Sequence, residues 1–442
     1  MIPEIAVLDA RYNIIRIPSE LDVPLTARVR RVLDTPEFQR LKHISQLGLV
    51  AQVYPGALHS RFEHSLGVYR LAVLLIKRML YDKRFAEAIS PADAEVFILS
   101  ALLHDLGHYP FCHPVEDMFL PEVTSHEKGM IRYLRNESSE IFSCIKEDWS
   151  CTPEDVYMIL CKDTSSLSRR LLSSMLSGPV DIDKMDYLYR DSLHAGVPYG
   201  RNFDQERLLG SLCLNAAGDG LAISSKGKTA AEMMVFARYV MFSEVYWHHA
   251  VRSATAMFQR LYYESRREMT SEERRDFHQK YMEVTDVEAI HMLREMRGRS
   301  DCPLWGGLFG KRRALYKQVA QYSVFEYPEV YRRFARLPYA ELVEKAVCFA
   351  EKLSVRTGMV ISPDDVILDA PPVEREVEFI VDVYSAKTGK YYPLGEVSPV
   401  IRALAQEQFD DVVKRVRLFL HPKWARVLSE VGMDLENLLM EL

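Results

Sequence analysis

The chain has 442 residues, of which 48% are hydrophobic and 27% are charged. This composition excludes a mainly disordered protein, and at roughly 150 residues per domain the length predicts about two or three units. The formal net charge of −6, from 56 basic and 62 acidic side chains, excludes a global electrostatic attraction to nucleic acid and leaves only local basic patches for that purpose.

No run of the sequence reaches the roughly 18 apolar residues that a membrane span needs. The first residues also lack the basic start and apolar centre of a secretory signal. We therefore expect a cytoplasmic protein that does not associate with membranes. The seven cysteines are scattered and have no Cys-x-x-Cys spacing, which predicts reduced thiols rather than disulfides or a zinc ribbon.

Helix-start signals divide the first part of the chain. Thr35-Pro36 predicts the start of a helix in the segment 34–49, whose apolar residues recur every three or four positions. The capping-box pattern that begins at Ser60 precedes the apolar stretch 66–80. His64 therefore lies in the first turn of the predicted helix.

Two further predicted helices carry polar residues at their ends. Ser90-Pro91 predicts the start of an apolar helix through 96–103 that stops before Gly107, so that His104 and Asp105 lie at its C-terminal end. A third helix begins near Asp181. One face of it carries three residues spaced i, i+4 and i+8, with Arg190 beside them: Asp183, Tyr187 and Asp191.

The pattern changes at the tract 297–313, which contains the glycine-rich run 305–310. Beyond it, residues 377–384 alternate like a strand, Thr388-Gly389 predicts a turn and 406–420 predicts a helix, whereas 221–225 predict a short hairpin arm near 211–227. We predict a mainly α fold with a helical core over 1–295. A smaller α+β C-terminal module over 296–442 would serve oligomerisation or regulation.

Histidines cluster around the C-terminal end of the predicted apolar helix through 96–103. A lone histidine is most often a satisfied core or surface residue, but a histidine next to an aspartate at the end of an apolar helix must be paired or metal-bound to offset its desolvation. The cluster contains His59, His64, His104, His108, His113 and His126.

Four of the polar residues form a ligand set for a hydrolytic metal site. Such a site needs imidazoles and carboxylates that converge and leave coordination positions open. A mixed nitrogen and oxygen set suits Mn, Fe, Ni or Mg better than a closed structural zinc site, and we predict one of these divalent ions or Zn. The candidate ligands are His64, His104, Asp105 and Asp183, whose convergence their spacing alone does not prove.

Four ordered tracts resemble the HD-domain phosphohydrolase superfamily: YPGALHSRFEHSLGV, HDLGHYPFCH, TSHEKG and DIDKMDYLYRD. They are most similar to the branch of the sterile-alpha-motif and HD-domain dNTP triphosphohydrolase and its bacterial relatives, without the sterile-alpha-motif domain. The resemblance covers about residues 34–242 and returns in VILDAPPVEREVEF and SPVIRALAQEQFDDVVKRVR. It implies an HD-domain helical core that hydrolyses dNTP to deoxynucleoside and triphosphate, with the four residues above as metal ligands.

The resemblance also implies roles for the surrounding residues. On the catalytic side, His113 would protonate the leaving oxygen, and the phosphate-lining and proton-relay candidates would be His108, His126, Glu116 and Glu127. The substrate-binding candidates would be Gln46, Leu47 and Arg61 toward the nucleotide, Lys184 toward phosphate, and Tyr187 and Asp191 toward the sugar. Phosphoryl transfer needs mainly positioning and cationic stabilisation, which agrees with these types. Surface ion pairing or helix packing would also account for the last four candidates named (Arg61, Lys184, Tyr187, Asp191).

Two groups of the family are missing when its next helix is aligned without gaps. Its triphosphate-gripping arginine falls on Val245, and its Tyr-Gln pair falls on Ser253-Ala254. Arg252, Arg238 or His248 could substitute. Without such substitution the substrate would be a different phosphate ester or a shorter phosphate chain.

This sequence partly matches the regulatory nucleotide pocket that the family forms between subunits. Asp34 and Gln39 match its guanine-reading positions, and Lys42 occupies a position where the family has arginine. The segment from Arg313 to Lys317 resembles its phosphate-binding element. This implies a homo-oligomer, dimer or tetramer, whose activity responds to a bound nucleotide. Otherwise Asp34 caps the next helix and 311–317 is a solvated face.

Three functions therefore compete. The first is a metal-dependent dNTP triphosphohydrolase. The second keeps the metal but acts on a monophosphate, cyclic or other phosphodiester nucleotide, with His108 and His126 permitting a second metal. The third is a nucleotide sensor or single-stranded nucleic acid binder that uses Arg28, Arg30, Arg31 and the basic run 311–317.

Overall fold

The computed structural model describes residues 2–10, 12–296, 302–372, 381–406 and 413–442. Helices dominate these residues, which confirms the predicted mainly α class. The first half of the chain contains helices α1 Pro3–Ala10, α2 Ala27–Leu33, α3 Pro36–Gln39, α4 Arg61–Met79, α5 Lys83–Ala88, α6 Pro91–Leu103, α7 Cys112–Glu116, α8 His126–Gly129, α9 Ile131–Leu134, α10 Glu140–Asp148, α11 Pro153–Leu160, α12 Leu167–Ser177, α13 Ile182–Ala195 and α14 Gln205–Ser211.

The second half continues with longer helices around a few strands. These helices are α15 Lys228–Met241, α16 His249–Glu264, α17 Ser271–Tyr281, α18 Asp286–Met296, α19 Pro303–Phe309, α20 Pro328–Phe334, α21 Tyr339–Thr357, α22 Leu394–Val397, α23 Pro399–Gln406, α24 Pro422–Val431 and α25 Leu435–Met440. One π-helical turn, Phe242–Tyr246, links α15 to α16.

Three small sheets complete the described fold. Their strands are β1 Ile14–Ile17, β2 Leu21–Pro24, β3 Leu212–Leu214, β4 Leu221–Ser224, β5 Lys317–Tyr322, β6 Val366–Asp369, β7 Asp382–Ser385, β8 Lys390–Pro393 and β9 Val416–Leu420. The sheets have the orders β1-β2, β3-β4-β7-β8 and β5-β9-β6.

The predicted helix starts are confirmed where a side chain caps the backbone locally. Ser60 accepts a hydrogen bond from the Glu63 amide, and Ser90 and Asp93 form a complete capping box at the start of α6. The box at Ser60 is only half formed, because the Glu63 carboxylate instead binds other side chains. Asp181 caps α13 by accepting from the Lys184 amide.

The predicted helix over 34–49 is interrupted. Thr35 caps the short helix α3, after which the chain turns through the 3-10 segments Arg40–His43 and Gly48–Gln52. Asp34 is the C-terminal cap of α2 and not the N-cap of the next helix. The tighter turns end the 3.6-residue period and leave residues 44–47 as a connecting segment that reaches the cavity described below.

Two predictions, one of a hairpin arm and one of a helix, need correction. The predicted hairpin forms from β3 and β4, but it is no free arm, because β4 also pairs in parallel with β7, with Ala222 opposite Asp382. Residues 416–420 form strand β9 and not the end of a helix, and all five are buried. A fully buried strand has no alternation that would separate it from a buried helix. Residues 407–412 lie outside the described residues.

The predicted strand 377–384 lies partly outside the described residues, since 373–380 are not described. Its end forms β7, and the predicted turn at Thr388-Gly389 is confirmed: Gly389 has φ +67° and its amide donates to the Ser385 carbonyl. β7 packs its Val383 into the same hydrophobic core as α4 and α6. The division at 295/296 stays a prediction, and the described packing crosses it.

Two glycines set the spacing of the helices around the site. A Cβ on Gly67 of α4 would lie 1.9 Å from Asp186 Oδ1 on α13, and one on Gly107 would lie 2.1 Å from the His126 carbonyl oxygen. A side chain at Gly67 would displace the Asp186 and Arg190 side chains, and one at Gly107 would push the His126 backbone away. The absence of Cβ atoms at these positions therefore lets α13 pack closely on α4 and lets α8 approach the segment that follows His104 and Asp105.

Among the described residues, no helix combines the length and the apolar character that crossing a membrane requires. All seven cysteines lie in the described residues as free thiols, and three of them are buried.

A buried histidine away from the cavity gives the fold a pH dependence. His278 is 1% exposed, accepts a hydrogen bond from the Thr124 amide and contacts the Tyr262 hydroxyl at 3.1 Å. Burial lowers the pKa of His278 to about 4. Because the unfolded chain then binds an extra proton below about pH 6.5, we expect His278 to cost about 2 kcal/mol of stability between pH 7 and pH 5.

The measurement is chemical denaturation of the wild type and of His278→Gln at both pH values. We expect the wild type to lose about 2 kcal/mol more than the variant on acidification. An equal loss in the two proteins would contradict the assignment of this pH dependence to His278.

Candidate active site

The four predicted metal ligands lie together where three helices meet. His64 is in the first turn of α4, His104 and Asp105 follow the end of α6, and Asp183 is in the first turn of α13. His64 Nε2 lies 3.1 Å from His104 Nε2 and 3.0 Å from Asp183 Oδ1. His104 Nε2 lies 3.4 Å from Asp105 Oδ1. The four side chains therefore share one centre.

The second nitrogen of each imidazole is already occupied. His64 Nδ1 donates to Asp186 Oδ2 at 2.8 Å, and His104 Nδ1 donates to the Ala101 carbonyl at 2.9 Å. In neutral rings both Nε2 atoms then carry lone pairs that point at each other and at two carboxylates. Such a set repels itself unless a cation lies between its members, so these residues fit a divalent metal ion.

Charged neighbours raise the pKa of His64 and lower the pKa of Asp105, so both side chains favour their charged forms. Burial lowers the pKa of His64, but hydrogen bonds to Asp183 and Asp186 outweigh it and raise that pKa to about 10. Burial raises the pKa of Asp105, yet His108 and Arg61 bring it well below its usual value. A proton on His64 and a metal ion would therefore compete for the same centre.

Asp186 and Arg190 support the centre from behind and were not assigned by the sequence motifs. Asp186 receives Arg190 Nε and Nη2 at 2.8 and 2.7 Å, and Arg190 Nη1 reaches Glu63 at 2.6 Å. Both residues of the pair are nearly fully buried. Their i, i+4 spacing on the apolar side of α13 was the available signal. The pair holds the imidazole of His64 in one orientation.

A second group of histidines lies beside the four candidate metal ligands. The rings of His108 and His126 have centroids 3.8 Å apart, and His113 lies 5.4 Å from the former. His126 binds Glu116 through its backbone amide at 2.6 Å and through Nδ1 at 3.0 Å. The His113 side chain is exposed to the cavity, and desolvation by the surrounding wall together with the Arg61 charge lowers its pKa. Burial raises the pKa of Glu116, but the hydrogen bond from His126 outweighs it and lowers that pKa to about 2.

These walls enclose a cavity of about 770 Å³, a size that suits a small organic ligand. Fourteen of the fifteen sequence-predicted catalytic, substrate and metal residues line it: Gln46, Leu47, Arg61, His64, His104, Asp105, His108, His113, His126, Glu127, Asp183, Lys184, Tyr187 and Asp191. The fifteenth, Glu116, stands behind His126.

Two cations near the metal ligands are already paired. Arg61 is 4% exposed and donates from Nη1 to Asp105 Oδ2 at 2.8 Å. Lys184 donates from Nζ to Asp181 at 2.6 Å and to the Gly178 carbonyl at 3.0 Å. Burial raises the pKa of Asp181 to about 6. The pairs Arg61–Asp105 and Lys184–Asp181 are therefore buried or half-buried at the cavity wall. They are not the surface salt bridges that the alternative interpretation of Arg61 and Lys184 expected.

The sugar-side candidate Asp191 has two partners that the motifs did not identify. Its Oδ1 lies 2.8 Å from His59 Nε2, and its Oδ2 accepts from the Tyr246 hydroxyl at 2.6 Å. Tyr246 lines the cavity from the π-helical turn. No local sequence signal indicated this turn.

At the two aligned positions, the cavity lacks the groups with which the family holds the triphosphate. Val245 is fully buried, and neither it nor the pair at 253–254 lines the cavity. Of the proposed substitutes, Arg252 lines the cavity but forms two hydrogen bonds with Asp369, at 3.1 and 2.6 Å. His248 caps α16. Arg238, Lys162 and Lys414 also line the cavity, and the last two were not singled out from the sequence.

The five regulatory candidates lie away from this cavity. Gln39 donates to the Leu33 carbonyl at 2.6 Å, and Lys42 Nζ lies 4.7 Å from the centre of the Phe62 ring. Arg313 donates to the Gln52 carbonyl. The remaining two, Asp34 and Lys317, are exposed.

Comparisons with known sequences agree with the geometry. Residues 61–191 match the HD domain, and residues 203–422 match the HD associated region. The uncharacterized protein MJ1154 of Methanocaldococcus jannaschii is 31% identical over 401 residues, which are 89% of this chain and 76% of that protein. The chain belongs to the HD-domain phosphohydrolase family, as the motifs predicted.

Further relatives cover smaller parts. The deoxynucleoside triphosphate triphosphohydrolase SAMHD1 of Mus musculus is 36% identical over 206 residues, 40% of this chain and 31% of that protein. The chain thus spans about a third of this relative's length. The crystal structure of a hypothetical protein from Aquifex aeolicus superposes with a TM-score of 0.70 at 26% identity, over 95% of this chain and 99% of the other.

Proposed function

We propose that this protein is a metal-dependent dNTP triphosphohydrolase, which converts a dNTP and water into a deoxynucleoside and triphosphate. One observation carries the proposal: the Nε2 atoms of two imidazoles and two carboxylates converge at the wall of a nucleotide-sized cavity. The similarity to SAMHD1 adds the substrate class.

The proposed metal ligands are His64, His104, Asp105 and Asp183. When bound, a divalent cation there would polarise phosphoryl oxygens and make water a better nucleophile near neutral pH. The P–O bond to the 5′ oxygen breaks, water supplies the new oxygen on phosphorus, and the departing 5′ oxygen takes up a proton.

The protein's own residues supply positioning and protons. Arg61 is held by Asp105 at the cavity wall, where it stabilises negative charge on phosphoryl oxygens. Desolvation by the cavity wall and the Arg61 charge lower the pKa of His113, so its ring is neutral near pH 7 in the free protein. A bound triphosphate would raise that pKa and let His113 protonate the leaving oxygen. Glu116 accepts a hydrogen bond from His126 Nδ1 and orients that ring.

The test is turnover of a panel of deoxy-, ribo- and monophosphate nucleotides by the metal-loaded protein, with Mn first and other divalent ions after it. We expect tripolyphosphate and a deoxynucleoside in equal amounts from dNTPs. Release of single phosphate or of pyrophosphate, or no turnover of any nucleotide with any divalent metal, would reject the proposed reaction.

A second candidate keeps the metal centre and changes the substrate to a nucleoside monophosphate or a cyclic nucleotide. The observation that favours it is the absence of the triphosphate grips, since Val245 is buried and residues 253–254 do not reach the cavity. The same product analysis separates the two reactions, because tripolyphosphate forms only in the first.

A nucleic acid binder has less support. Arg28 lies between Glu4 and Glu95, and Arg31 binds Glu147 and Asp148, so these arginines are neutralised locally. The proposed regulatory nucleotide site at Asp34, Gln39, Lys42, Arg313 and Lys317, and with it a homo-oligomer, rests on the family resemblance alone. Dependence of turnover on added GTP or dGTP, with the mass in solution, would test it.

A further inference from the structure

The carboxylate of Asp191 is held on both sides. His59 Nε2 meets one oxygen at 2.8 Å, and the Tyr246 hydroxyl meets the other at 2.6 Å. Asp191 is 2% exposed, but it lines the cavity together with Tyr246. Since each carboxylate oxygen can accept about two hydrogen bonds, both oxygens retain acceptor capacity toward an occupant of the cavity.

The chemistry of this acceptor selects what part of a ligand it can bind. A carboxylate repels phosphate oxygens and accepts hydrogen bonds from hydroxyl donors. Burial and the Asp191 charge raise the pKa of Tyr246, so its phenol stays a donor to Asp191. This part of the cavity therefore suits a neutral hydroxyl group and not the phosphate chain.

The π-helical turn brings Tyr246 into this position. In Phe242–Tyr246 the Trp247 amide bonds to the Phe242 carbonyl, five residues back, at 2.8 Å. The wider turn changes which residues face the cavity: Val245 is fully buried, and Tyr246 lines the wall. π-turns often occur where a helix serves a functional site.

A chain of buried and half-buried side chains connects this acceptor to the metal centre. His59 stacks on His194 with ring centroids 4.4 Å apart, and His194 meets Glu63 at 2.9 Å. Glu63 binds Arg190, which forms the pair with Asp186 behind His64. The distance between the hydroxyl acceptor and the metal ligands is thereby fixed by packed, polar side chains.

We propose that His59 and Tyr246 are positioning residues that hold Asp191 as the acceptor for the sugar hydroxyl of the substrate. The inference rests on the proposed dNTP function. A dNTP has one free sugar hydroxyl, at the 3′ position. Hydrogen bonding of that group to a fixed carboxylate then sets the distance from the sugar to the metal centre.

The test compares kcat/KM for a dNTP and for the 2′,3′-dideoxynucleotide with the same base. We expect the wild type to favour the dNTP by about 10- to 100-fold, the usual range for a hydrogen bond to a charged group. In Tyr246→Phe this ratio should fall at least threefold through a higher KM for the dNTP. The kcat values and the constants for the dideoxynucleotide should change little.

Two controls separate positioning from folding. Tyr391→Phe removes a hydroxyl that donates to the Leu214 carbonyl, away from the π-helical turn and outside the cavity, and it should leave the ratio unchanged. His59→Gln, whose amide can replace the donor, should keep more of the ratio than His59→Ala. An equal effect of Tyr246→Phe on both nucleotides, or an unchanged ratio, would overturn the inference alone. Absence of turnover of every nucleotide by the wild type would overturn the proposed function and the inference with it.

Discussion

His104→Ala should reduce nucleotide hydrolysis by about a thousandfold or more while the protein stays folded. The variant removes one of the two Nε2 atoms at the centre, 3.1 Å from the other, and loss of the metal removes both charge stabilisation and water activation. The side chain is 12% exposed and follows the end of α6, so its truncation leaves no large buried cavity.

The measurements are turnover, metal content per chain and thermal unfolding. The matched control is His291→Ala, which truncates an exposed histidine on α18 and should change none of the three. Full metal content in His104→Ala, or hydrolysis within tenfold of the wild type, would contradict the assignment of this residue as a metal ligand.

Asp186→Ala should weaken metal binding by about 10- to 100-fold, although Asp186 is not itself a predicted ligand. Its carboxylate accepts from His64 Nδ1 at 2.8 Å, and loss of such a partner frees the ligating ring and lowers its basicity. The variant also removes the bidentate partner of Arg190, which is 1% exposed. We expect a loss of about 3 kcal/mol of stability, since Glu63 still compensates part of that charge.

A metal titration and chemical denaturation separate the two effects. Glu122→Ala is the matched control, because it removes the partner of Arg266, another buried arginine, outside the cavity. It should destabilise the protein without changing metal affinity. Asp186→Asn keeps an acceptor for His64 and should bind the metal more tightly than Asp186→Ala. Equal metal affinities in the wild type and Asp186→Ala would contradict the supporting role.

Local rules account for the helix starts that the sequence predicted. Ser60, Ser90 and Asp181 each cap their helix by bonding to an amide three residues ahead, and a contact of that range is visible in a sequence. The capping box at Ser60 is half formed because Glu63 is used by Arg190, 127 residues away. A tertiary ion pair thus replaced a local bond that the pattern predicted.

Elements whose conformation depends on burial were predicted less well. Strand β9 is buried along its whole length, so its sequence has the same apolar character as a core helix. The helix expected over 34–49 gives way to 3-10 turns, because contacts distant in sequence outweigh the helical preference there. Tyr246 was not identified because a π-helical turn has no periodic signature.

The sequence by itself determined the class of helical fold, the residue types of the candidate metal centre and the family, since caps, apolar periods and ordered motifs are local or cumulative properties of the chain. Only the tertiary structure decided that His64 and Asp183, 119 positions apart, lie 3.0 Å from each other. It also decided that Asp186 orients His64 and that Tyr246 and His59 hold Asp191. These are distances between side chains on different elements, and packing fixes them; the glycines at 67 and 107, for example, let α13 pack on α4 and α8 approach the segment after His104.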